Sequence, residues 1–112
     1  MRDDLIYLRH IRDSIRKIER YLKGVSYEYF VKNDMLVGAT VRELEIIGEA
    51  ANNVSANFKV NHPEILWDRM IGMRNKLIHE YFGVNKKIVW ETCKTDLKGL
   101  KKSILFILKI IK

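Results

Sequence analysis

The sequence has little of what builds loops or cross-links. Among 112 residues there are one cysteine (Cys93), one proline (Pro63) and six glycines. A single thiol excludes an internal disulfide framework and a zinc centre built on several thiolates. It also fits a reducing, cytoplasmic setting. So little proline and glycine leaves few residues for turns, so most of the chain is expected in regular structure. Long apolar runs are missing too. The most apolar stretch, "SILFILKIIK" at 103–112, is interrupted by Lys109 and falls well short of the ~20 residues a bilayer span requires. The start, "MRDDLIYLRH", is acidic and amphipathic. It lacks a basic region followed by an apolar core, so no signal peptide is expected.

Several chemical motifs are absent as well. Neither a G-x-G-x-x-G loop nor a G-K-[ST] ending occurs, so no glycine-rich cradle for nucleotide phosphates is expected. "HEYFG" at 79–83 begins like the zinc-binding H-E-x-x-H but has glycine where the second histidine belongs. His10, His62 and His79 lie far apart in sequence, and no serine has a nucleophile-elbow context. Metal-dependent hydrolysis is therefore a weak reading, and no metal or cofactor is expected.

What is present is a soluble helical composition. The chain is 47% hydrophobic and 31% charged, with a net charge of +7. Its length fits one domain spanning 1–112. The positive excess favours a polyanion, nucleic acid first, against the plainer reading of a lysine-rich solvated surface.

Four amphipathic stretches follow from the spacing of apolar residues. Leu5, Leu8, Ile11, Ile15, Ile18 and Leu22 define the first, over 5–22. The second runs from about Asn33 to Asn57 on Val37, Val41, Leu44, Gly48, Ala51 and Val54, with Asn33 or Asp34 as N-cap. Tyr27 to Val31 forms a short preceding turn or lengthens this helix. Gly48 in mid-helix costs about 1 kcal/mol relative to alanine, so it marks either the close approach of a neighbour or a kink. The third helix starts near Pro63 and reaches about Phe82, closed by Gly83. Asn85 caps the fourth, whose stripe is Val89, Cys93, Leu97, Leu100, Ile104, Ile107 and Ile111. No strand is expected. The fold class is all-α, an antiparallel four-helix bundle, and so small a bundle gains from pairing with a second copy.

One residue breaks the third stripe. Arg74 has Trp67, Met70, Ile71, Leu77, Ile78 and Tyr81 as helical neighbours. A lone charge cannot enter a dry core. Arg74 can pair with Glu45 or Glu49, snorkel to the edge, or border a wet crevice at a second subunit where a phosphate supplies the negative charge. His79 lies five positions on, about 140° around the helix. Its helical neighbours are Gly72, Asn75, Lys76, Phe82 and Gly83, mostly small or polar. A place in the last helical turn favours the protonated ring and nearby lysines oppose it, so titration near neutrality suits a general acid or base. The plain alternative is a surface histidine. Tyr81, seven residues after Arg74, is either a core tyrosine with its hydroxyl at the rim or a phenol presented at the same site.

"RNKLIHEY" matches the pattern R-x-x-x-x-H-x-Y through Arg74, His79 and Tyr81, with polar Asn75 after the arginine. Together with "RELEIIGEAANNV", "HPEILWDRMIGMRNKLIHEYFGVN" and "IVWETCKTDLKGL", the chain from about Asp34 onward resembles the HepT-like branch of the HEPN all-α proteins. It departs at Leu66, where members commonly carry proline, which bears on where the third helix begins. The resemblance implies a homodimeric bundle acting as a metal-independent ribonuclease toxin. Its implied partner is a minimal nucleotidyltransferase antitoxin that attaches AMP to Tyr81. It also gives the geometry a reason: two copies across a twofold axis can bring Arg74 and His79 into one cleft. On this reading Arg74 and His79 are catalytic, and Asn75, Tyr81 and Lys76 support the phosphate. RNA is the substrate, leaving 2′,3′-cyclic phosphate and 5′-hydroxyl ends. The rival reading is a non-catalytic substrate-binding subunit of a nucleotidyltransferase pair.

Overall fold

A computed structural model describes residues 2–79 and 83–111, with only the backbone described at Arg2 and His79. The described residues are helical with no strand: α1 (Arg2–Leu22), α2 (Tyr27–Lys32), α3 (Asp34–Asn53), α4 (Ala56–Asn61), α5 (Trp67–His79), α6 (Lys86–Glu91), a π-helical turn (Thr92–Asp96) and α7 (Leu97–Ile111). The last three form one continuous rod. With α1, α3 and α5 it makes the four long members of the bundle; α2 and α4 are single-turn pieces in the connections.

Tertiary contacts fix the directions. Asp4, at the start of α1, bonds Ser55, just past the end of α3. Lys101 of α7 meets Glu19, near the end of α1, at 3.0 Å. Lys86, which opens α6, donates to the carbonyl of Val31 at 3.0 Å and lies 3.6 Å from Asp34 at the start of α3. The chain therefore doubles back at each connection, as an antiparallel bundle does. The core is the union of the stripes: Leu8, Ile11, Ile15 and Ile18 of α1 with Phe30, Leu44, Ile47, Val89, Ile104 and Ile107. Each such side chain contributes about 1.5–3 kcal/mol on burial.

The starts of α2, α3 and α6 carry side-chain caps, the latter two as the sequence predicts. Ser26 accepts from the N–H of Tyr29 at 3.1 Å, Asn33 from Leu36 at 3.0 Å and Asn85 from Ile88 at 3.1 Å. Gly24 takes φ +72 in the turn after α1, where a side chain would be strained. Two boundaries differ from the sequence reading. The second helix stops at Asn53, because Val54 turns extended and Ser55 starts α4 by accepting from Phe58 at 3.2 Å. The third begins at Trp67, after a turn that contains Pro63 and is held by the indole N–H donating to the carbonyl of His62 at 3.0 Å. Its expected end near Phe82 lies outside the described residues.

Candidate active site

The site begins where α5 crosses α3. A Cβ on Gly48 would collide with the Cβ of Arg74 and lie 2.7 Å from the carbonyl oxygen of Met70. Gly48 is thus the floor on which the arginine stem rests, and of the two reasons for a mid-helix glycine the close approach is the one found. The guanidinium continues past this floor. Its Nη1 donates to Oδ1 of Asn75 at 2.9 Å. Its Nε is buried and has no hydrogen-bond partner. A buried donor left unmade costs about 1–3 kcal/mol.

Among the described residues no carboxylate relieves that charge. Glu45 leans towards Arg42, at 3.8 Å, and Glu49 makes no ion pair. Of the three accommodations open from sequence, the salt bridge to Glu45 or Glu49 is not adopted. Asn75, which holds the guanidinium, is exposed, as is Lys76. Ile78, one turn on, is 40% exposed, so the arginine sits at the margin of an apolar surface open to solvent. His79 is the last residue of α5; its ring, and all of Tyr81, lie outside the described residues. Asn75 is thus joined to Arg74, whereas Lys76, two residues on and about 200° around the helix, makes no contact with the guanidinium among the described residues; His79 and Tyr81 stay expectations.

Three features were not marked as functional by sequence reasoning. Glu43 on α3 is buried with one carboxylate oxygen unpartnered. It falls on a second buried row with Thr40, Ile47 and Ala50, which the main stripe of that helix bypasses. Cys93 is pushed up to about 12 by burial, against the opposing pull of Lys94, so it is no nucleophile near neutral pH. A cavity of about 260 Å³ opens between α3, α5 and the final rod, lined by Leu44, Ile47, Met70, Met73, Leu97 and Leu100 among others. Arg74 does not line it, and the arginine that does, Arg69, already faces Asp96 at 3.4 Å.

The model of the Ribonuclease HepT-like family matches residues 11–107. The chain belongs to that family. The HepT-like match runs from α1 into α7 and includes Gly48, Arg74, His79 and Tyr81. Over 103 residues the chain is 46% identical to a protein named "Putative RNase" in Caldanaerobacter subterraneus subsp. tengcongensis, covering 92% of each. It is 44% identical over 95 residues to "Probable ribonuclease HepT" of Thermococcus cleftensis, covering 85% of this chain and 86% of that one. It is 36% identical over 103 residues to a "Putative RNase" of Methanocaldococcus jannaschii, covering 92% and 94%. No solved structure matches the chain. Among the described residues no helix is long and apolar enough to cross a membrane.

Proposed function

We propose that this protein is an endoribonuclease toxin that cuts RNA without a metal, in a cleft completed by a second copy of itself. The observation that carries this reading is the guanidinium of Arg74. It is pinned at its stem by Gly48, steered at its tip by Asn75 and left with a buried, unpartnered Nε–H. Such a group is ready for an anion that the described residues do not provide.

RNA brings its own nucleophile. The 2′-oxygen attacks the adjacent phosphorus, an O2′–P bond forms, and the P–O5′ bond breaks. The 2′-proton must leave and the departing 5′-oxygen must gain one. His79 serves these transfers, with one imidazole of the pair accepting and the other donating. Arg74 stabilises the charge that develops on the non-bridging oxygens. Asn75 holds the guanidinium, and Lys76 and Tyr81 help to seat the phosphate. Products carry 2′,3′-cyclic phosphate and 5′-hydroxyl ends. DNA, lacking the nucleophile, is not cut. A nucleotidyltransferase antitoxin that adds AMP to Tyr81 would place bulk and negative charge in the cleft and repel RNA.

The test is incubation of purified protein with total RNA and excess chelator, followed by end-group analysis. Cyclic phosphate ends are expected, and His79→Ala should lose about 10² to 10⁴ in rate with its helical content unchanged. Cleavage that disappears with chelator, or that survives His79→Ala at the parent rate, would overturn the mechanism. A protein that binds RNA but never cuts it would instead be the substrate-binding subunit of a nucleotidyltransferase pair.

A further inference from the structure

A second cleft, of about 250 Å³, lies between α1 and α3, on a different face of α3 from Arg74. Tyr7 and His10 line it from α1; Arg42, Glu49 and Asn53 line it from α3, with buried Ala50 below. The Tyr7 and His10 rings meet edge to face, with centroids 6.3 Å apart and planes at 80°. Among the described residues Tyr7, His10, Glu49 and Asn53 make no hydrogen bond or ion pair through their polar side-chain atoms. Arg42 has only its loose contact with Glu45 at 3.8 Å. Five polar side chains thus surround one open hollow: Tyr7 is half-buried, and His10, Arg42, Glu49 and Asn53 are exposed.

We propose that this cleft is a nucleobase pocket for the RNA substrate and that it selects guanine; the proposal rests on the ribonuclease reading above. The charges argue for a base and against a phosphate. An anion in the cleft would meet the Glu49 carboxylate, with Arg42 as its one fixed cation. A base meets two π surfaces to stack on or abut. It also meets a carboxylate that only accepts hydrogen bonds. Guanine presents N1–H and N2–H₂ side by side, and the two oxygens of Glu49 can take both. Uracil offers one such donor, and adenine and cytosine offer a single amino group. Asn53 can donate to O6 or N7 on the far edge. Arg42, 65% exposed at the mouth, is free to neutralise the phosphate of the bound nucleotide.

The placement connects the pocket to the cut. Gly48, the floor beneath Arg74, and Glu49, the proposed reader, are consecutive on α3, and consecutive residues point about 100° apart. The two sites therefore sit on adjoining faces of one helix, roughly 10 Å across. A strand laid over α3 can put a base in the cleft while a neighbouring phosphate reaches the guanidinium.

The experiment is direct binding of the four 5′-mononucleotides to the full chain, followed by the ring resonances of Tyr7 and His10. Guanosine 5′-monophosphate should shift both, and bind about tenfold tighter than the other three, the discrimination expected of a bidentate contact. Glu49→Gln should lose that preference and keep the parent's circular dichroism. In the cleaved RNA, guanine should be enriched at one fixed position relative to the cut, and less so for Glu49→Gln. Equal affinity for all four nucleotides, shifts confined to other residues, or an unchanged preference in Glu49→Gln would each overturn the pocket. RNA cleavage with no guanine preference removes the pocket and leaves the nuclease reading standing. Guanine binding by a chain that never cuts RNA does the reverse.

Discussion

Asp4 and Arg74 pose the same problem on different helices and resolve it differently. Each is a charged residue on an apolar helical stripe. Asp4 is 4% exposed, yet its carboxylate takes 2.8 Å bonds from both the backbone N–H and the hydroxyl of Ser55, which lies 51 residues away. Burial pushes its pKa up, but the opposing influences together, led by those hydrogen bonds, hold the group below the usual carboxylate value. This charge has been taken into the fold: it ties the start of α1 to the α3–α4 junction. Arg74 has no such tie, and its Nε is buried without a partner. One charge holds the fold together; the other has no counter-charge among the described residues.

The contrast can be tested by removing each charge. The largest effect is expected for Arg74→Met. It should lower RNA cleavage by about 10² to 10³, the loss typical for a donor that stabilises transition-state charge. Urea denaturation should show equal or greater stability, because an unsatisfied buried donor is gone. A variant that cuts normally but unfolds easily would make Arg74 a second Asp4. Gly48→Ala comes next. Its methyl would meet the Arg74 stem and the Met70 carbonyl, prying α3 from α5 at a cost of about 3 kcal/mol. The urea midpoint should fall, and cleavage should fall with it as the guanidinium is displaced. Asp4→Ala is the smallest, about 2 kcal/mol at pH 7 for the lost charge-assisted hydrogen bonds, with the catalytic constants of the folded fraction unchanged. Its pH dependence carries a definite sign. A folded pKa below the unfolded value stabilises above the unfolded pKa and loses that stabilisation as pH falls through the folded one. The gap between parent and variant should therefore be full at neutral pH and narrow below about pH 4.

Much of this was visible in the sequence. The four stripes, the capping residues Asn33 and Asn85, and the oddity of Gly48 follow from local rules of spacing, capping and chain freedom; choosing between the two meanings of that glycine required the contact with Arg74. Arg74 was visible as a violation of its stripe. Asp4 carries the same signal, one position ahead of Leu8 in the sequence of steps along α1. Spacing cannot separate the two cases, because what distinguishes them is contact with Ser55 from another helix. Long-range contact also explains the other misses. Ser55 reads as an ordinary polar residue inside a continuing pattern, and only its bond to Asp4 and its cap on Phe58 show why the second helix stops early. Glu43 belongs to a second buried row that exists because α3 is covered on more than one side. The α1–α3 cleft joins residues from two helices, and no single-helix pattern gathers Tyr7 with Glu49.

The π-helical turn at Thr92–Asp96, where the N–H of Leu97 reaches back to the carbonyl of Thr92, has a consequence for how the chain tolerates change in length. Residues in such a turn advance by about 82° instead of 100°, so Val89 and Leu97 still face the same way although they are eight positions apart. A plain α-helix reaches nearly the same alignment in seven. The rod thus carries one supernumerary residue, and excising it would straighten the backbone while Ile104 and Ile107 kept their inward aim. Inserting another would swing both of them towards water.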